Sequence, residues 1–432
     1  MIIGIIGGTS GLGETLANIL KKHGFKIKIS GTNHEKGRNI ASKLAVDYID
    51  DNKKLASLCD IVIVSVPIDK TTDVIKEVSN SMKDDSLMLD VTSIKEEPTD
   101  AMKEYLPENI EFIPTHPIFG PRTVDLENQV IVLTPTGKGK WYSKIYKFLE
   151  SENVRIIETT PEKHDEMMSI VQVLTHFSYI STASAIEKLK IDIKETEDFE
   201  SPIYKLMIDM IARIVSQNPY LTYYIQSKNK NGNKVRSIFS KSVLELYDAI
   251  LNEDEDKFVE ISNKATENMG DIKSALGRSD KAIVAINHEF KLLQKSIGKE
   301  IGLKDIYSSK VYYGTLIKVD NKNIVLNSYQ DEKFELNPSY FELLNDKELE
   351  EWKIQNLDEN EYEFQGTFIN SVNIEIIAST IKKIDNVSNC VISNKLNNDN
   401  DENILNFKVT GYNHEFIEDV FNLLKGFGCN IN

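Results

Sequence analysis

A short run of four isoleucines around Gly4, at 2–6, breaks directly into Gly7-Gly8-Thr9-Ser10-Gly11-Leu12-Gly13 and then into an amphipathic segment over 12–23. No other feature narrows the folding choices of this chain so far. A strand, a glycine-rich turn and a helix open a parallel βαβ unit: the glycines allow a tight reversal and leave the helix N-terminal amides facing outward. The next segments of the chain fit this opening. Apolar runs at 25–30, 61–66, 86–91, 111–114, 130–133 and 154–158 are mostly continuous rather than alternating, as strands covered on both faces of a parallel sheet must be. Segments of helical periodicity such as 71–82 separate them. Residues 1–158 are therefore expected to form a doubly wound α/β domain of the Rossmann type.

The pattern changes near Pro161. Apolar repeats at 168–174, 203–215, 243–251 and 283–293 are helical, and Ser201-Pro202 suits a capped helix start with proline in the first turn. Residues 159–302 are expected to be an all-α domain that packs on itself or on a second subunit. Beyond Gly302, strands at 312–319 and 324–327 flank Asp320-Asn321-Lys322-Asn323 as a hairpin. The tail then carries a strand at 362–369, a helix at 373–384, strands at 389–394 and 404–410 around a polar loop at 397–402, and a helix at 414–427. This order predicts that residues 303–432 form a small α+β, ferredoxin-like domain, an arrangement found in many regulatory modules.

Charge and composition exclude several classes. Lys+Arg 51 against Asp+Glu 67 gives a net charge of −16, the wrong sign for a nucleic-acid or anionic-membrane footprint. No apolar run approaches the roughly 20 residues of a membrane span, and the N-terminus lacks a signal-peptide pattern. Cys59, Cys390 and Cys429 share no ligand spacing, so neither a disulfide framework nor a thiolate metal site is expected. The expectation is a cytoplasmic, multidomain protein without a thiolate metal site.

In the G-x-G-x-x-G register, Gly8 and Gly13 take the outer places and Ser10 stands at the middle one, with Gly11 next to it as a substitute. The stretch Gly8, Thr9, Ser10, Gly11, Leu12 and Gly13 is a candidate pyrophosphate cradle, the alternative being a ligand-free tight turn. An NAD site places a carboxylate at the end of the second strand, whereas an NADP site uses a nearby arginine. Here Thr32 and Asn33 come after that strand, with Arg38 beyond them. These residues suit a 2′-phosphate, and so NADP, better than NAD, although Glu35 argues the other way. Ser65, Val66 and Pro67 close the run at 61–66 and are candidate nicotinamide contacts or simply a proline-ended strand terminus.

Two further segments sit at strand C-terminal ends, where ligands of open α/β sheets collect: Asp90-Val91-Thr92-Ser93-Ile94-Lys95 and His116-Pro117-Ile118-Phe119-Gly120-Pro121. A neutral imidazole at His116, expected in a rigid proline-flanked loop, can accept a hydroxyl proton as hydride leaves the same carbon. Ser93 is placed to orient that hydroxyl or the imidazole. Taken alone, such a histidine is more often a satisfied loop residue.

Together with Glu162-Lys163-His164-Asp165, Val173-Leu174-Thr175-His176-Phe177, Ser201-Pro202-Ile203-Tyr204-Lys205 and Arg213, these segments resemble prephenate dehydrogenase, an oxidoreductase of tyrosine biosynthesis, over about residues 1–300. The resemblance implies oxidative decarboxylation of prephenate to 4-hydroxyphenylpyruvate with hydride transfer to NAD(P), in a homodimer joined through the helical domain. It assigns His116 as acceptor for the substrate hydroxyl and Ser93 as its contact. Arg213 becomes the carboxylate anchor, a task suited to a bidentate fork. His176 is a second histidine near substrate, and Lys205 stands where some relatives carry arginine. Arogenate dehydrogenase, or another NADP oxidoreductase, is the alternative. Each residue also has a plainer reading. Lys205, Asp209 and Arg213 at intervals of four suit an ion-pair ladder, His176 a core histidine, and His164-Asp165 a pair at a helix start. The tail carries no family motif, so tyrosine feedback through it rests on architecture alone, the alternative being a plain stabilising or dimerising domain.

Overall fold

The computed structural model describes residues 1–328, 332–368, 373–384, 386–394, 403–412 and 416–431. It divides into two compact units, Met1–Ile272 and Lys273–Asn432.

The first unit is built on the strands β1 (Ile2–Ile6), β2 (Lys26–Ser30), β3 (Asp47–Tyr48), β4 (Ile61–Val64), β5 (Leu87–Asp90), β6 (Glu111–Pro117), β7 (Val130–Leu133) and β8 (Arg155–Glu158). They form one sheet in the order β3-β2-β1-β4-β5-β6-β7-β8. The sequence order doubles back at β1, with β2 on one side and β4 on the other, both parallel to it. Continuous apolar runs are needed because both faces are covered. Ile3, Ile5, Ile61 and Ile63 pack with Leu16 and Leu20, while Ile6, Val62 and Val64 pack with Leu55, Ile75 and Met102 on the other face.

The sheet corrects one expectation: the segment around His116 is strand, not loop. β6 pairs parallel with β5 over Glu111–Pro114, then antiparallel with β7 over Thr115–Pro117, setting His116 opposite Val132. Pro114, which has no N–H to give either neighbour, sits at the changeover. Its carbonyl accepts the Thr134 amide at 3.0 Å. Two prolines flanking a histidine look like a loop in sequence, yet proline is tolerated where a strand exchanges partners.

Helices Pro161–Met168, Thr175–Leu189, Pro202–Val215, Pro219–Lys228, Gly232–Leu251 and Glu255–Asn268 complete the unit. Three of them start with proline behind a side-chain cap from Thr160, Ser201 or Asn218, the arrangement expected at Ser201-Pro202. Between the first two helices, Ser169–Leu174 is a π-helical turn.

The helix Ile272–Lys295 packs with the second unit, since Phe290 and Leu293 join a core with Ile301, Leu303, Leu316 and Leu326. The division therefore falls well before the expected boundary at 302. The expected hairpin forms, with Val319 opposite Ile324, but as part of a larger sheet. Strands β9 (Glu300–Asp305), β10 (Val311–Val319), β11 (Ile324–Asn327), β12 (Lys333–Leu336) and β13 (Phe341–Leu343) take the order β12-β11-β10-β9-β13. A separate core belongs to β14 (Glu359–Phe368), β15 (Val387–Asn394), β16 (Asn403–Tyr412) and β17 (Cys429–Ile431), ordered β15-β16-β14-β17 with every pairing antiparallel. Helices Ile374–Ile381 and Phe416–Gly426 cover it through Ile377, Ile381, Phe416 and Val420. The expected loop at 397–402, and positions 369, 414 and 415, lie outside the described residues. Among the described residues, no helix is long and apolar enough to cross a membrane.

Candidate active site

The glycine-rich turn comes directly after β1. Gly7 has φ +85, and a Cβ there would stand 2.2 Å from the Ser65 carbonyl oxygen; a Cβ on Gly13 would stand 2.3 Å from the carbonyl oxygen of Gly7. These two glycines close the turn against β4 and the helix. Gly11 is different: it has φ +56 and nothing within 4 Å of a Cβ position. It opens the helix Gly11–Lys22, behind an extended Ser10 whose side chain makes no cap bond. A helix start with uncommitted amides and open space over its first glycine fits a pyrophosphate. Gly11 thus supplies the clearance that a middle glycine at position 10 would give. Thr9 and Gly8 are buried beneath, and Leu12 is half-buried in the sheet core.

At the end of β2, Thr32, Asn33 and Arg38 are all exposed. The Asn33 side chain is committed to capping the next helix, accepting the Lys36 amide at 3.0 Å. Ser65 and Val66 are half-buried and Pro67 is exposed beyond β4. The loop after β6 reaches back to the turn: Thr15 Oγ1 donates to the Pro121 carbonyl at 2.8 Å. His116 and the glycine-rich turn therefore share one edge of the sheet.

His116 is 3% exposed, and both its ring nitrogens have neighbours. Nδ1 lies 2.9 Å from Nε2 of His164, and Nε2 lies 3.4 Å from the side-chain nitrogen of Gln172. His164 Nδ1 in turn lies 2.7 Å from Asp165 Oδ1. The Asp165 carboxylate also accepts the backbone amides of Lys95 and Glu96, at 2.8 and 3.1 Å. Desolvation, then His164, then the Lys95 ammonium hold His116 well below the ordinary imidazole range, so it is neutral at physiological pH. Burial lowers His164 and His176 as well.

Under this group lies an ion pair with no solvent access. Lys95 Nζ donates to Asp90, both side chains being 0% exposed, and reaches Thr92 Oγ1 at 3.2 Å. Asp90 Oδ2 also accepts the Thr92 amide at 3.1 Å. Burial pulls the lysine below its ordinary value and Asp90 opposes that.

Of the expected substrate residues, His176 lies on the helix Thr175–Leu189, which continues directly from the π-helical turn carrying Gln172. It is buried, one turn along from Gln172, and among the described residues neither His176 Nδ1 nor Gln172 Oε1 has a hydrogen-bond partner. Buried polar atoms without partners are rare enough to mark a place for a ligand. Ser93 is half-buried, and among the described residues its hydroxyl makes no hydrogen bond to His116. Arg213 is exposed on Pro202–Val215. Among the described residues, no ion pair or hydrogen bond ties its side chain to His116 or His176. Among the described residues, no ion pair of the alternative ladder is formed, and Lys205 pairs instead with Glu200 at 3.0 Å.

His164, Asp165, Gln172, Asp90 and Lys95 were not expected as site residues. The signal available for them was a His-Asp pair directly after a capped helix start, and an Asp and a Lys bracketing Ser93. A cavity of about 380 Å³ lies beside Glu96, walled by Glu97, Asp100 and Glu104 against Lys228 and Lys230. None of the expected site residues lines it, and its carboxylates would repel an anionic substrate.

Comparison with known proteins places the chain. Residues 16–158 match the family model for the prephenate dehydrogenase nucleotide-binding domain and residues 160–264 the one for its dimerization domain. A probable arogenate/prephenate dehydrogenase of Methanocaldococcus jannaschii is 37% identical across 97% of this chain and 95% of its own length. A T-protein of Haemophilus influenzae is 26% identical over 66% of this chain and 72% of its own. A crystal structure of prephenate dehydrogenase from Aquifex aeolicus with hydroxyphenyl propionate and NAD+ shares the fold. Its TM-score is 0.50 at 22% identity, covering 63% of this chain and 98% of that one.

Proposed function

Since the chain belongs to the prephenate dehydrogenase family of NAD(P)-dependent oxidoreductases, we propose that it converts prephenate to 4-hydroxyphenylpyruvate and carbon dioxide, with His116 as the proton acceptor. The observation that carries this reading is a buried, neutral imidazole on the sheet edge shared with the glycine-rich turn. A bound nicotinamide dinucleotide supplies the hydride acceptor.

The residues then have separable tasks. His116 takes the proton of the ring 4-hydroxyl as hydride leaves that carbon. Loss of carbon dioxide makes the ring aromatic and leaves a phenolate oxygen, to which His116 returns the same proton, so no net proton is consumed. Ser93 contacts the hydroxyl. His176, with its unpartnered nitrogen, faces the substrate, and Arg213 grips a substrate carboxylate through its fork; Lys205 adds positive charge on the same helix. Gly8, Thr9, Ser10, Gly11, Leu12 and Gly13 cradle the pyrophosphate, Ser65, Val66 and Pro67 border the nicotinamide, and Thr32, Arg38 and the amide nitrogen of Asn33, whose oxygen holds the helix cap, receive a 2′-phosphate. NADP is therefore the proposed cofactor, although the Aquifex aeolicus relative was solved with NAD+.

Arogenate is the rival substrate, because relatives bear both names. Initial rates with prephenate and arogenate, each with NAD+ and NADP+, decide substrate and cofactor together; no turnover of either compound overturns the proposal. Arg213→Ala is expected to raise the substrate KM at least tenfold while leaving kcat within a few-fold, the mark of lost uniform binding. An unchanged KM removes Arg213 from the site.

The matched dimerization region leaves Phe199 89%, Ile203 71% and Leu244 59% exposed, which supports a homodimer through these helices. The order β15-β16-β14-β17 supports reading residues 359–431 as ferredoxin-like.

A further inference from the structure

We infer that His164 and Asp165 are positioning residues which fix His116 in the tautomer carrying its proton on Nδ1, leaving Nε2 free to accept from substrate. The inference rests on the proposed role of His116 and adds the groups that prepare it.

The proton positions are set outward from the Asp165 carboxylate. Its Oδ1 accepts the Lys95 amide and its Oδ2 accepts the Glu96 amide. With both oxygens accepting from backbone N–H groups, the group is a carboxylate. His164 Nδ1, 2.7 Å from Oδ1, must then be the donor. His164 is 2% exposed and burial holds it neutral, so a ring that donates through Nδ1 has a bare Nε2. That bare nitrogen sits 2.9 Å from His116 Nδ1 and can only accept, which assigns the proton to His116 Nδ1. His116 is itself neutral, so its Nε2 is bare. The Gln172 amide nitrogen, a donor only, faces it at 3.4 Å.

One direction of donation thus runs from His116 to His164 to Asp165, set by two backbone amides at the start of the helix Glu96–Tyr105. An isolated neutral histidine favours neither nitrogen strongly. Here the wrong tautomer would set two N–H groups, or two lone pairs, against each other in a buried site.

The test reads the protons directly. Full-length protein labelled with 15N-histidine is studied without substrate or cofactor, in wild type, His164→Leu and His164→Gln. Wild-type His116 is expected to show Nδ1–H and bare Nε2 signals. His164→Leu, which removes the acceptor, should shift His116 toward the Nε2–H form. It should also lower kcat about 10- to 100-fold with substrate KM and dinucleotide affinity little changed, less than loss of the base itself. His164→Gln, whose side-chain oxygen can accept the same proton, should restore tautomer and turnover together. An Nε2–H wild-type His116 overturns the inference whether or not the variants fold. So does His164→Leu with an unaltered tautomer and kcat. Because the tautomer is read in the free protein, a chain that turns over neither prephenate nor arogenate would defeat the functional proposal alone.

Discussion

Asparagine in place of His116 is expected to lower turnover about 10²- to 10⁴-fold, the usual worth of a placed general base. Asparagine is smaller, uncharged and can still meet His164, so the buried pocket survives without a group able to take a proton. The glycine-rich turn is built from other residues, so dinucleotide affinity should not change. Steady-state kinetics with a parallel dinucleotide titration checks both halves; a variant with near-normal kcat would exclude His116 from proton transfer. The wild-type pH profile is governed by the same burial. His116 titrates well below the ordinary imidazole range because of desolvation, His164 and Lys95. The active, unprotonated form is therefore full through neutral pH. Turnover should stay level there and decline only as acidity reaches the lowered value, not near the usual 6.5.

The second large effect is on stability. Lys95→Met leaves the fully buried Asp90 carboxylate without its cation. Stranding one charge of a buried pair costs about 3–5 kcal/mol, because the desolvation penalty stays while the attraction goes. The double change Asp90→Asn with Lys95→Met removes both charges and should recover a good part of that loss. Urea unfolding read on Trp141, which is buried in the first unit, measures this cleanly in a Trp352→Phe background. A single variant within about 1 kcal/mol of wild type would mean that water or a neighbour relieves Asp90.

Much of the fold was legible because burial on two faces writes itself into sequence. β4 is an unbroken apolar run for that reason, as are β1 apart from Gly4 and β5 up to Asp90. The two-residue β3 gives no such signal, and β7, which runs antiparallel to β6, is Val-Ile-Val-Leu and reads just like the parallel strand β4, Ile-Val-Ile-Val. Strand direction is fixed by where the chain returns, not by what the strand contains. In the second unit, β9 and β13 escape notice because their register is set by each other and by β10.

The site divides along the same line. His116, Ser93 and the glycine-rich turn lie in local motifs at strand ends, where chemistry and spacing coincide. His164 is 48 positions from His116 in the chain and meets it only through the packing of a helix on the sheet. Lys95 looks like any surface lysine until the fold closes over it. Nothing in a single sequence separates it from the exposed Lys205.

The π-helical turn at Ser169–Leu174 sets the phase of the helix that follows it. A wider turn holds one residue more than a regular α ladder would, at some loss of hydrogen-bond quality. Excising one residue from it would let the ladder close normally and make the helix intrinsically sounder. It would also swing everything downstream by about 100° about the helix axis, carrying His176 away from the direction it now faces. The irregularity works as a phase shifter, and a chain mended there would be sturdier and have its second histidine out of register.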